Sequence, residues 1–253
     1  MARRTKPKSN ALKVWQIESL RLTAFPSPAY QFTDPSWWME LVGEAPEKKI
    51  QLKIGGQREE GLFGPGMLIL STEPSRIDWI LTQNPKNEEF IPLLGGFSEV
   101  LDPFLELMRR WLEKGHQIQR LAFGAILHVP ADNRESGYKE LSKYLRHVKL
   151  DPINSSDFLY QINRPRDSKL DIKDLRINRL TKWSVASWKL SHLSFGLEMV
   201  TYPSIKEEFA YRLELDINTV TDYSHELPTK KLNHIFQELV ELGKEIAIKG
   251  DIP

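Results

Sequence analysis

The sequence predicts an α+β fold: a largely antiparallel sheet with helices packed on one face, in two similarly ordered halves. Three observations carry this. Short stretches alternate apolar and polar residues at the strand period of two, and outnumber stretches with helical spacing. The two longest helical patterns, Phe104–Leu112 and Leu232–Ile246, stand late in successive parts of the chain. After Gly115 the order starts again, so each half reads strand, helix, several strands, long helix. The halves share no residue-level identity, so the repeat is one of order. They span 12–115 and 116–253 behind a basic tail at 1–11 carrying Arg3, Arg4, Lys6 and Lys8. The joint at Gly115–Gln117 is short, and the halves are expected to pack tightly.

In the first half, Val14, Trp15, Ile17, Leu20 and Leu22 predict a strand with a bulge where the alternation changes phase, ended by Phe25-Pro26. Thr33-Asp34-Pro35 predicts a helix start, Asp34 capping and Pro35 in the first turn, with Trp38, Leu41 and Val42 on one face and Gly43 as the stop. Strands follow at Lys49–Ile54, Met67–Thr72 and Arg76–Thr82, with Gly61–Gly66 read as a turn and 83–96 as loop. Asp102-Pro103 repeats the cap-then-proline signal before the long helix, leaving open whether Phe97–Leu101 adds an earlier turn. In the second half, a strand is expected at Ile118–Val129 and a helix through Tyr138, Leu141, Leu145 and Val148. Further strands are expected at Asp157–Asn163, Ile172–Leu180, Thr181–Leu190 and Glu208–Asn218, before the amphipathic C-terminal helix.

Composition removes several chemistries. With no cysteine among 253 residues, disulfides, thiolate metal sites and a cysteine nucleophile are excluded. A formal net charge of +1 argues against a dedicated nucleic-acid binder, although a local basic patch stays compatible with it. No apolar run approaches the length of a membrane span, and the polar, basic start has no secretory character, so the expected location is the cytoplasm.

No motif supplies a catalytic centre. Gly61–Gly66 is glycine-rich but opens no helix, so it lacks the N-terminal amides that cradle phosphate. The six histidines, His116, His128, His147, His192, His225 and His234, show no metal-ligand spacing. His128, off the apolar face of its strand, is the best functional exception. There is no Gly-x-Ser-x-Gly elbow, and Ser191 and His192 are strand neighbours that would point to opposite faces. The strongest enzymatic alternative is a carboxylate pair, Glu214 and Asp216, two apart on one strand and opposite Leu213, Leu215 and Ile217. With Glu18, Asp78 or a Glu47-Lys48-Lys49 triplet it could serve a metal-dependent nuclease or phosphotransferase. The competing account is the wet face of a half-buried sheet. No catalytic residue, metal ligand or cofactor is assigned.

Two binding surfaces remain. Arg176, Arg179 and Lys182, among Arg164, Arg166, Trp183, Trp188 and Lys189, could grip phosphates and stack bases if they share a face. Seven tryptophans include the adjacent Trp37 and Trp38 on a short helix. One of that pair is expected to face outward as a protein contact, with Trp37 favoured if Trp38 is core. Burial of both at one core edge is the competing account.

Three stretches carry a resemblance: Trp15 to Pro26, Arg58-Glu59-Glu60-Gly61 with Phe63-Gly64-Pro65-Gly66, and Ser75-Arg76-Ile77-Asp78-Trp79. They resemble segments of sporadically distributed bacterial proteins of similar size, often carried in mobile or defence loci, CRISPR-associated ones included. The resemblance implies an accessory role and brings no catalytic residues. The expected function is a non-enzymatic adaptor or regulatory subunit with a protein partner, in antiviral defence; the alternative is a nucleic-acid-binding module.

Overall fold

A computed structural model of the chain describes residues 14–27, 37–53, 55–84, 91–191 and 205–252. Among them the elements run β1 (Gln16–Pro26), α1 (Trp37–Val42), β2 (Lys48–Gln51), β3 (Gln57–Phe63), β4 (Gly66–Glu73), β5 (Arg76–Thr82), β6 (Gly95–Gly96) and α2 (Phe97–Leu112). Beyond Gly115 follow β7 (Ile118–Ala131), α3 (Arg134–Leu141), β8 (Leu159–Asn163), β9 (Arg166–Asp167), β10 (Arg176–Ser191), β11 (Ile205–Thr219) and α4 (Leu232–Lys249). The strands form one antiparallel sheet in the order β2-β3-β4-β5-β1-β7-β11-β10-β8, with β6 beside β1 and β9 beside β10. The sheet is therefore mixed with helices in an α+β fold, as expected. No helix of the described residues is long and apolar enough to cross a membrane.

Strand alternation sorts the side chains. Leu20, Leu22, Trp79, Leu121, Phe123, Trp183, Leu213 and Ile217 point to one face and join a single core with Trp37, Trp38 and Leu41 of α1, Phe104 and Trp111 of α2, Leu141 of α3, and Ile235 and Leu239 of α4. Each such side chain removed from water contributes about 1.5–3 kcal/mol. Trp15 ties the start of β1 to α4, β10 and β11. Its Nε1 donates to the Ala247 carbonyl at 2.8 Å, and its ring meets Tyr211 and Trp183 edge-on.

Several local expectations are corrected. β3 lies inside the stretch partly read as turn; only Gly64-Pro65 turns, and Gln57-Arg58-Glu59-Glu60 is too polar to read as a strand. The long helix begins at Phe97, with Pro103 inside it. An interior proline costs about 3 kcal/mol, but Phe97, Val100, Leu101, Phe104, Leu107, Met108, Trp111 and Leu112 form one unbroken buried stripe that outweighs it. The two strands expected at Ile172–Leu180 and Thr181–Leu190 are one, β10. α3 is shorter than its apolar spacing, because Tyr144 and Leu145 follow in turns. The basic tail, the Thr33-Asp34-Pro35 cap, His192 and Ser194 lie outside the described residues.

The tryptophan surface is also corrected. Trp37 and Trp38 are 7% and 2% exposed, so neither offers a partner surface in this chain. Trp37 stands edge-on to Trp111 and His116, and Trp38 stacks on Trp79 at 6.4 Å. α1 lies close enough to β3 that a Cβ at Gly61 would meet the Trp38 ring at 2.8 Å. A helix pressed this near the sheet buries both of its aromatic neighbours.

Candidate functional site

The other face of the sheet carries no helix among the described residues, and polar side chains dominate its centre. Pairing places them in rows across the strands. One row runs Ile80 (β5), Arg21 (β1), Gly124 (β7), Asp216 (β11) and Leu180 (β10). The next runs Ser19, Ile126, Glu214, Lys182 and Gln161, and a third sets His128 beside Arg212 and Ser184. Together they border a cleft of about 440 Å³ lined by Arg21, Ile126, Gln161, Lys182, Glu214 and Asp216, among others.

The charges on this face are matched. Lys182 Nζ stands 3.0 Å from Glu214 Oε1, and Arg212 pairs with the same carboxylate. Arg212 also reaches Glu18 at 3.7 Å, and Glu18 bonds the ring Nε2 of His128. Glu18 reaches that ring because β1 bulges between Ile17 and Ser19. Burial pushes the Glu18 carboxyl up, but the hydrogen bond and charge of His128, with the charge of Arg212, outweigh it and hold it below its usual range. Arg21 spans the strand between itself and Asp216, 3.8 Å away, by lying over Gly124. A Cβ on Gly124 would stand 3.1 Å from Arg21 Nε. Farther along, Arg76 forks onto Asp78 at 2.6 and 3.1 Å, and Thr23 donates to the same carboxylate at 2.5 Å.

This face unites Glu214, Asp216, Glu18 and Asp78, as the alternation predicts, and each carboxylate there faces an arginine or lysine. No group of three or more His, Asp or Glu residues that could hold a metal occurs among the described residues. Glu47, Lys48 and Lys49 lie at the β2 end, with five strands between β2 and β11. His128, wholly buried, holds Glu18 in place and lies 5.3 Å from the Trp188 ring.

The basic set Arg176, Arg179 and Lys182 does not form one surface. Odd and even residues of β10 point to opposite faces, so Arg179 is on the helix side, 6% exposed, where its Nε donates to the Arg164 carbonyl. Arg176 and Lys182 share the helix-free face but lean on Asp167 and Glu214 respectively. Sequence reasoning missed Arg21, Arg212 and Gly124. The available signal was Gly124, a glycine within a strand, which marks close approach of another group.

No family model matches this chain, and no curated protein or solved structure is significantly similar to it.

Proposed function

We propose that the chain is a non-enzymatic binding subunit that holds a protein partner, with the helix-free face of its sheet as a contact surface. The observation that carries this reading is the matched charge of that face. Arg21, Arg212 and Lys182 stand against Asp216, Glu18 and Glu214, and most of these side chains keep roughly a fifth to two-fifths of their area exposed. A polyanion laid across it would meet four carboxylates as it met the cations, which blunts the electrostatic term that drives nucleic-acid binding. A protein surface of mixed sign can exchange these pairs, and such complementarity gives specificity more than raw affinity. The resemblance to proteins of bacterial defence loci supplies the setting, an accessory subunit of a larger assembly.

The test is purification of the tagged full chain from its host, with and without nuclease, beside the double charge reversal Arg21→Glu, Lys182→Glu. A stoichiometric protein that survives nuclease and is lost from the folded variant supports the reading. Recovery of nucleic acid alone, or a partner indifferent to the reversal, overturns it.

A further inference from the structure

The two ends of the sheet are built differently. At one end β2 is four residues long and carries exposed Lys48 and Lys49, the usual protection of an edge against pairing with another strand. At the other end β8 has no charged residue, and it stops opposite Ser184 while β10 continues to Ser191. Among the described residues, a length of β10 therefore has a neighbour on one side only.

The register shows which groups are left over. Arg164 N–H donates to the Arg179 carbonyl, and Val220 N–H donates to the Arg176 carbonyl. Backbone groups alternate sides along an antiparallel strand, so odd residues of β10 point toward β8 and even ones toward β11. By the same alternation Val185, Ser187 and Lys189 turn their N–H and C=O groups to the side where β8 has ended. On the helix side of the sheet their side chains line a cavity of about 650 Å³ with Glu207 and Phe209 of β11, within the roughly 300–1,000 Å³ of ligand sites. One wall is α3, where Gly137 lets the helix press against Val185; the other is the loop at Pro152, Ile153 and Asp157. Ile153 is 69% exposed.

We propose that this edge takes up an extended polypeptide segment of the partner by strand addition. The inference rests on the protein-binding reading above and adds where and in what form the partner is held. Only an extended backbone offers donors and acceptors at the repeat of two residues that Val185, Ser187 and Lys189 present. Their span is about 17 Å, so about five residues engage. α3 and the loop at Pro152, Ile153 and Asp157 stand over the helix side of this end of β10, which favours a lone extended segment over the edge of a second folded sheet with its helices. Val185 and Ile153 select a small or β-branched residue on the cavity side. Arg134, Glu135, Asp157, Lys189 and Glu207 mix signs around the cavity and favour no strongly charged segment.

The test selects phage-displayed random heptapeptides on the full chain and resynthesises the best binder. Binding is measured to the wild type, Ser187→Ala and Ser187→Pro, with folding checked by circular dichroism. Proline removes the outward N–H and leaves the β11 side of the ladder intact, so affinity should fall at least tenfold, while alanine changes it less than twofold. On the wild type, N-methylating the peptide one residue at a time should weaken binding at alternate positions only, which keeps the test decisive if the proline variant misfolds. Bound peptide should slow hydrogen exchange at Val185, Ser187 and Lys189. Failure to select any peptide, or binding without the alternate-residue pattern, overturns the proposal. So does protection of these three amides in the chain alone: dependence on concentration would point to a second copy, and independence to the chain's own segments. If the edge test fails while Arg21→Glu, Lys182→Glu still sheds the co-purified partner, strand addition alone is wrong and the protein-binding reading stands.

Discussion

Phe123 and Gly124 are adjacent on the central strand β7 and belong to opposite faces. Phe123 is wholly buried, edge-on to Phe236 of α4, and so near Gly243 that a Cβ there would stand 3.1 Å from its ring. Gly124 has no side chain, and the Arg21 guanidinium lies across it toward Asp216. The first side is held by shape, where every removed atom leaves a hole. The second is held by ion pairs in partial contact with water, each contributing little to stability and each able to trade partners. Stability thus resides on the covered side, and the other side could serve the proposed contact surface at small cost to the fold.

Substitution on the covered side should show the largest effect. Trp111 is fully buried between Trp37, Trp79 and His116, and Trp111→Ala should destabilise by about 3–5 kcal/mol in urea unfolding. A loss below about 1 kcal/mol would break the contrast between the faces. His116, in the same cluster, adds a pH dependence. Burial drives its imidazole down to about 4, and its Nε2 contacts the Trp111 carbonyl at 2.9 Å, so the ring is neutral in the fold and acts as donor. The unfolded chain takes up the proton near 6.5, the folded one near 4. Between those values the unfolded state binds more protons, so this contribution is complete above about pH 6.5 and is lost as pH falls toward 4, on the order of 2–3 kcal/mol. His116→Phe should flatten that limb of the stability–pH curve; an unchanged limb would assign it to other groups.

What the sequence disclosed follows the same division. The covered face was legible because burial writes a period into the chain: Leu213, Leu215 and Ile217 against Glu214 and Asp216 fixed one strand's faces, and α4 announced itself by its apolar stripe. β3 was illegible because two glutamates and an arginine occupy a strand near the edge, where packing against α1 rather than composition sets the structure. Trp37 was misjudged because adjacency on a helix separates two side chains by about 100°, and only the closeness of α1 to β3 makes both fit inside. Arg179 and Lys182 looked alike in sequence. Their strand had been divided at Leu180, and one unbroken β10 sends them to opposite faces.

The smallest expected effects lie on the helix-free face and ask why Gly124 is glycine. Removing Arg21 should cost about 0.5 kcal/mol or less and should matter still less at high salt, since the pair with Asp216 is long and partly exposed. If Gly124 is there to let the guanidinium pass, Gly124→Ala should be neutral or slightly destabilising in the wild type, because its Cβ would crowd Arg21 Nε at 3.1 Å. In the Arg21→Ala background that crowding is gone, and the same substitution should stabilise by about 0.4–1 kcal/mol through the loss of chain freedom in the unfolded state. The double-mutant cycle should therefore show a coupling of roughly 0.5–1 kcal/mol between the two positions. Equal stabilisation in both backgrounds would mean that the glycine serves no purpose for Arg21, and the bridge across β7 would lose its standing as a built feature of the helix-free face.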